Sequence, residues 1–102
     1  RYDIMLRRLS DIKADAFWGI PKNKRVSITE LIDKDIAIFD YKPITIKGEQ
    51  KVIVKFAYPD NEADFHTFIT RSEVIMDRLS LDKDNMPFIA TMRYKGRYFC
   101  YE

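Results

Sequence analysis

The chain has 102 residues, with 18 basic and 16 acidic side chains, one cysteine, one histidine and one tryptophan. This length fits a single domain, and the lone cysteine and histidine exclude an internal disulfide framework and the usual zinc quartets. No apolar run approaches the roughly 20 residues of a membrane span and no signal peptide is recognisable, so we expect a cytoplasmic protein without a cofactor or metal.

Basic side chains are concentrated at the start of the chain. Residues 1–25 hold seven basic and three acidic side chains, whereas residues 26–64 hold five and eight. A smaller basic cluster lies near the end of the chain. The net charge of +2 is too small to indicate nucleic-acid binding by itself, but its distribution leaves two regions that could contact phosphates.

The first segment, residues 2–17, has the apolar spacing of an amphipathic helix. The run Gly19-Ile20-Pro21 follows shortly after it and favours its end. We expect residues 1–25 to form a helix and a basic linker, and residues 26–102 to form a separate domain. Trp18 has two interpretations, since it could pack the helix onto the domain or stack on a base. The apolar positions that define the helix are Ile4, Met5, Leu9, Ile12 and Ala16.

Within residues 26–102, the spacing of the apolar residues changes from a helical pattern to an alternating one. Residues 27–30 form a capping-box pattern, Ser-Ile-Thr-Glu, which predicts a short helical turn at 28–33. From residue 35 to residue 46 the apolar residues alternate, which predicts a long strand. Pro43 requires a bend, a bulge or an edge position within that strand, because proline cannot donate to the hydrogen-bond ladder.

Four more strands and one helix follow. A second capping-box pattern at residues 70–73 predicts a helix that ends before Asp82. Turn residues separate the remaining alternating segments. These segments predict strands over 51–58, 65–69, 87–94 and 97–101. The predicted order is therefore three strands, one helix and two strands.

This order predicts the fold class. Five short strands with a helix between the third and the fourth are typical of the OB-fold, a small Greek-key barrel. We expect a mainly β protein with an OB-fold-like five-stranded barrel, preceded by the N-terminal helix. Another five-stranded α+β domain with the same element order is the alternative.

Parts of the domain resemble a known family. Residues 26–36, Val-Ser-Ile-Thr-Glu-Leu-Ile-Asp-Lys-Asp-Ile, resemble the entry into the barrel of small single-stranded-DNA-binding proteins from phages and mobile elements. The segment 68–75 and the closing segment 87–91, which leads into an aromatic hairpin, show the same similarity. The resemblance covers roughly residues 26–101 and implies an OB-fold that coats single strands during replication or recombination.

Single-strand binding needs cations that contact phosphates and exposed aromatic rings on which bases stack. The last hairpin interleaves such residues, and a hairpin tip cannot bury all of them. Packing of Phe99 and one of the two tyrosines into the core is the alternative interpretation. The candidate binding residues of the hairpin are Arg93, Tyr94, Lys95, Arg97 and Tyr98.

A second candidate group lies on the first two strands. If Ile36 and Ile38 face the core, Phe39 and Tyr41 face outward, unless a bulge near Pro43 reverses the alternation. On the second strand, inward Val52, Val54 and Phe56 would leave the lysines outside. The candidates here are Phe39, Tyr41, Lys42, Lys51 and Lys55.

The sequence predicts binding rather than catalysis. No D-x-D or H-x-E arrangement indicates a metal-dependent nuclease, and the three glycines form no phosphate-binding loop. We expect a protein that binds single-stranded DNA, or alternatively RNA, without sequence specificity. The alternative is a protein-interaction or assembly module, with residues 2–17 contacting a partner or a second copy.

Overall fold

The computed structural model describes residues 18–102, and the helix predicted over residues 2–17 lies outside them. Short 3₁₀ turns occupy Lys22–Lys24, Ile28–Leu31 and Lys83–Asn85. The main elements are β1 (Asp35–Ile46), β2 (Glu49–Ala57), β3 (Phe65–Thr70), α1 (Glu73–Asp82), β4 (Phe88–Tyr94) and β5 (Phe99–Tyr101). Across the described part of the chain, every helix is too short or too polar to cross a membrane.

The five strands form one open antiparallel sheet with the order β3-β2-β1-β4-β5. The fold is therefore mainly β, with one α-helix between β3 and β4. β1 pairs with β2 along nearly its whole length, but with β4 only over residues 35–38. Pro43 lies beyond the β4 pairing, so of the three alternatives this proline takes the edge position, on the side of β1 that has no partner strand.

A β-bulge in β1 changes which side chains face the core. The register between β1 and β2 shifts at Phe39, four residues before the expected position near Pro43. Because an extra residue reverses the alternation, Tyr41 lies opposite Val54 and packs against the core. The prediction that Tyr41 faces outward is therefore wrong, and the alternative with a bulge describes this strand.

The core lies between the inner side of the sheet and the elements that cover it. Alternate residues of β2, namely Val52, Val54 and Phe56, are buried as their spacing predicted. The 3₁₀ turn Ile28–Leu31 contributes Leu31 and α1 contributes Leu79, and both side chains are fully buried. Helix and turn thus cover the inner face with apolar side chains, which is the main stabilising contribution.

The helix α1 protects the exposed edge of β5. Ser72 Oγ accepts a hydrogen bond from the Ile75 N–H at 3.2 Å and donates to the Phe99 carbonyl at 2.7 Å. Arg78 Nη1 donates to the Tyr101 carbonyl at 3.3 Å. The helix N-cap is Ser72 and not Thr70, where the predicted capping box began. The N-cap Ser72 and Arg78 of α1 therefore satisfy two carbonyls of the edge strand, which blocks further strand pairing there.

Ser72→Ala should lower the free energy of unfolding by about 1–2 kcal/mol, because it removes the helix cap and the bond to the Phe99 carbonyl. Urea denaturation followed by circular dichroism measures this loss. Ser80→Ala, at an exposed position of the same helix, is the matched control and should change stability by less than about 0.5 kcal/mol. An equal effect of the two variants would contradict the double role of Ser72.

Candidate nucleic-acid interface

The sheet has an outer face, formed by the side chains of β1, β2 and β3 that point away from the core. Register pairs place Lys42 opposite Ile53 and Lys51 opposite Ile44 on this face. Lys55 lies there too, since it alternates with the buried Val54 and Phe56. The predicted outward orientation of Lys51 and Lys55 is confirmed.

Two aromatic rings and one cation meet on the outer face. Phe39 and Phe65 form an edge-to-face pair with ring centroids 5.0 Å apart. The Lys55 Nζ lies 4.3 Å from the centroid of the Phe65 ring, which is a cation–π geometry. Phe39, the bulged residue, is half-buried, so it offers only part of its ring for stacking.

The centre of the outer face is covered. Ile53 and Thr67 are fully buried, although they point away from the core. The indole N–H of Trp18 donates to Asp40 Oδ2 at 3.1 Å, and Trp18 is half-buried. This contact favours the packing interpretation of Trp18 over the base-stacking one.

A cleft of about 630 Å³ opens where the end of β3, the start of α1 and the β4–β5 hairpin meet. We call it the hairpin cleft. Cationic and aromatic side chains from four parts of the chain converge on it. The cationic and aromatic residues of its lining are Lys51, Arg71, Tyr94, Arg97, Tyr98 and Phe99, and the lining also includes the acidic Glu73.

The aromatic side of the hairpin cleft presents two tyrosines to solvent. Tyr94 is 51% exposed and Tyr98 is 44% exposed, whereas Phe99 packs against the core. The rings of Tyr94 and Phe99 lie 4.9 Å apart, and the Tyr94 hydroxyl donates to the Gly96 carbonyl at 3.1 Å. The alternative that one of these tyrosines enters the core is therefore wrong. Both rings retain a surface on which a base could stack.

The cationic side of the hairpin cleft is partly neutralised by Glu49. Arg71 Nη1 lies 2.9 Å from one oxygen of Glu49, and Lys51 Nζ lies 3.7 Å from the other. The hydrogen bond from Arg71 is the main reason why the pKa of Glu49 lies below its usual range. Among the described residues, Arg97 has no ion-pair partner. A phosphate could thus contact Arg97 directly and displace Glu49 from Arg71.

Arg71 was missing from the predicted site. The sequence feature that could have indicated Arg71 is its position directly before the N-cap Ser72. An anion bound beside Arg71 would also lie near the amino end of α1, whose free N–H groups favour negative charge. The observed partner is Glu49, which is distant in sequence and is brought close by the sheet.

Arg93 and Lys95 lie outside the hairpin cleft. Arg93 pairs with Cys100, so it points to the face opposite Tyr94. Its guanidinium bonds Asp33 Oδ1 at 2.7 Å, and this bond is the main reason why its pKa is raised. Lys95 Nζ lies 2.9 Å from Glu102 Oε2. The structure therefore separates these two predicted phosphate contacts from Arg97.

The ten predicted residues do not form one site. Phe39, Tyr41 and Lys42 line a separate groove of about 660 Å³ with Lys83. Lys55 lies on the outer face, and Lys51 lies where that face meets the hairpin cleft. The structure places four predicted residues in the hairpin cleft, namely Lys51, Tyr94, Arg97 and Tyr98.

Fold and cleft define a small antiparallel β domain with a basic and aromatic cleft. Among residues 18–102, no three histidine, cysteine, aspartate or glutamate side chains are grouped so that they could hold a metal ion. The chain belongs to the family described as Domain of unknown function (DUF8468), whose model matches residues 22–101. No curated protein and no solved structure matches the chain.

If the hairpin cleft binds phosphates, Glu49→Gln should raise the affinity for single strands about fivefold, because one more cation becomes available. Titration of a fluorescent oligo-dT by anisotropy measures this gain. Lowering the pH through the depressed pKa of Glu49 should raise the wild-type affinity in the same direction, since a protonated Glu49 no longer competes with phosphate. Glu62→Gln, at an exposed loop position, should change nothing.

Proposed function

We propose that this protein binds single-stranded DNA without sequence specificity, on an OB-fold-like barrel. The strand order β3-β2-β1-β4-β5 with a helix between β3 and β4 supports the barrel. So does the hydrogen bond from Ser72 to the Phe99 carbonyl, because it joins the chain just after β3 to β5 at the two ends of that order. The resemblance over residues 26–101 supports the same assignment.

The hairpin cleft carries the proposal for function. It brings Lys51, Arg71 and Arg97 within reach of the exposed rings of Tyr94 and Tyr98. Cations that contact the backbone, combined with rings that stack on any base, are the combination that binds single strands without reading their sequence. Stacking contributes about 1–3 kcal/mol per base, so two tyrosines suffice for measurable binding.

The proposal includes no catalysis and no cofactor. We propose a role in replication or recombination and a cytoplasmic location, which the resemblance and the single cysteine support. RNA is the alternative ligand, because stacking and phosphate contacts occur with both nucleic acids.

Titration of fluorescent oligo-dT at two salt concentrations tests this function. Three neutralised phosphates predict a slope of log affinity against log salt of about −2, at roughly 0.7 per phosphate on single strands. Oligo-rU in the same titration shows whether the protein distinguishes RNA from DNA. Absence of binding at micromolar protein and low salt would overturn the proposal. It would favour the protein-interaction alternative, for which Leu81 on α1 is an exposed apolar candidate.

A further inference from the structure

The described residues before β1 divide the outer face into a covered part and an open part. Trp18 bonds Asp40 on β1, and Arg25 runs beside Thr67 at the edge of β3. Residues 18–25 therefore cross the outer face from β1 to β3. The register places Asp40 and Thr67 on either side of the same residue of β2, so this crossing begins and ends on one row of side chains.

The open part lies closer to the turn between β1 and β2. Two rows along from the crossing, the register places Lys51 between Ile44 of β1 and Arg71, which directly follows β3. Lys51 and Ile44 are half-buried and Arg71 is exposed, so solvent reaches all three. Because neighbouring strands lie about 4.8 Å apart, this open row extends about 10 Å across the sheet.

The open row joins two concave sites. At its β3 end, Arg71 and Lys51 belong to the hairpin cleft. At its β1 end, Lys42 lies on the same face as Ile44, two residues earlier in the strand, and it lines the separate groove of about 660 Å³. We call this second site the β1 groove. Its lining includes Phe39, Tyr41, Lys42 and Lys83, and the acidic residues Asp40 and Asp84.

The β1 groove is better suited to phosphates than to bases. Lys42 and Lys83 are exposed, whereas the two aromatic rings are half-buried. Both carboxylate oxygens of Asp40 accept hydrogen bonds, one from the tryptophan indole at 3.1 Å and one from the Tyr41 N–H at 2.8 Å. These bonds compensate part of its charge, while the carboxylate of Asp84 remains exposed and opposes an anion.

We propose that the β1 groove is a second subsite for the same DNA strand, which reaches it from the hairpin cleft along the open row. This inference rests on the proposed function. The DNA then runs across β3, β2 and β1 and not along one of them. A strand of about four nucleotides fills the hairpin cleft alone, and a longer one also contacts Lys42 and Lys83. Single domains of the proposed class cover about 4–16 nucleotides, which leaves room for both subsites.

The dependence on oligonucleotide length tests this path. Lys42→Ala with Lys83→Ala should weaken binding of a dT dodecamer about tenfold near 0.1 M salt and leave binding of a dT tetramer unchanged, because only the longer strand loses two phosphate contacts. In the wild type, the slope of log affinity against log salt should be more negative for the dodecamer by about 1.4. The variant should lose this difference. Anisotropy titrations measure all four affinities.

Controls separate the subsite from general charge and from chain length. A longer strand offers more binding registers, so the decisive quantity is the ratio between the two lengths in each protein. Lys22→Ala with Lys34→Ala removes the same charge at exposed positions elsewhere and should keep the wild-type ratio. Asp84→Asn should strengthen binding of the dodecamer about twofold and leave the tetramer unchanged. An equal effect of Lys42→Ala with Lys83→Ala on both lengths, or no effect on either, would overturn the second subsite.

Photocrosslinking tests the path in the unaltered protein. A dodecamer with a photoreactive thiothymidine at one end, and a second dodecamer with it at the other end, should together label the peptide around Tyr98 and the peptide of residues 39–43. Labels confined to the hairpin would overturn the second subsite and leave the proposed function intact. Absence of any binding of the dodecamer at micromolar protein and low salt would overturn both.

Discussion

Replacing Arg71 and Arg97 together by alanine is expected to weaken binding of oligo-dT by about 10- to 100-fold near 0.1 M salt. Under the proposed function each arginine would supply one phosphate contact in the hairpin cleft, and loss of Arg71 would also leave the carboxylate of Glu49 without its partner and facing the DNA. The slope of log affinity against log salt should become less negative by about 1.4. Anisotropy titrations at several salt concentrations measure both quantities.

Two control variants show whether the loss of affinity comes from the hairpin cleft and not from the loss of positive charge in general. Lys22→Ala with Lys34→Ala removes the same charge at exposed positions elsewhere and should change the affinity less than about twofold. Arg93→Ala with Lys95→Ala should also have a small effect, because Asp33 and Glu102 already neutralise these cations. A larger loss from the Arg93 and Lys95 pair than from the Arg71 and Arg97 pair would place the phosphates outside the hairpin cleft.

Phe68→Ala should lower the free energy of unfolding by about 3–5 kcal/mol. The Phe68 ring is fully buried, and its centroid lies 5.6 Å from that of the equally buried Phe56. Truncation removes apolar contacts and leaves a cavity that the surrounding strands cannot fill. A domain of this length has about 5–15 kcal/mol in total, so the variant loses a substantial part of its stability and unfolds if the wild type lies near the lower end of that range.

Urea denaturation measures this loss, with Phe65→Ala as the matched control three residues away on β3. The Phe65 ring is half-buried on the outer face and contacts Phe39 and Lys55, so its loss should cost about 1–2 kcal/mol. Equal costs for the two phenylalanines would contradict the assignment of Phe68 to the core and of Phe65 to the half-buried part of the outer face.

Local patterns in the sequence predicted the elements of this domain closely. The alternation over residues 35–46 corresponds to β1 at both ends, and the helix predicted to stop before Asp82 ends at that residue. The inward side of β2 also followed from alternation alone. These features depend on neighbouring residues, whose side chains repeat with a period of two or 3.6.

The grouping of the candidate residues could not be predicted in the same way. The bulge at Phe39 moves Tyr41 to the core, because one extra residue reverses the side-chain direction of everything after it. Arg93 and Arg97 are four residues apart in one hairpin, but only Arg97 reaches the hairpin cleft. Arg93 points to the other face of its strand, and the carboxylates of Asp33 and Glu102, which are distant in sequence, hold it there.

The amino-acid pattern alone was enough to predict a small mainly β domain, and the single cysteine and histidine argue against most metal and disulfide chemistry. Which cations are available depends instead on how the strands are arranged in space. Glu49 meets Arg71 and Glu102 meets Lys95, while Arg97 stays exposed beside Tyr98. Ion pairing depends on distances in space, and the pairing between strands sets these distances for residues that are far apart in the chain.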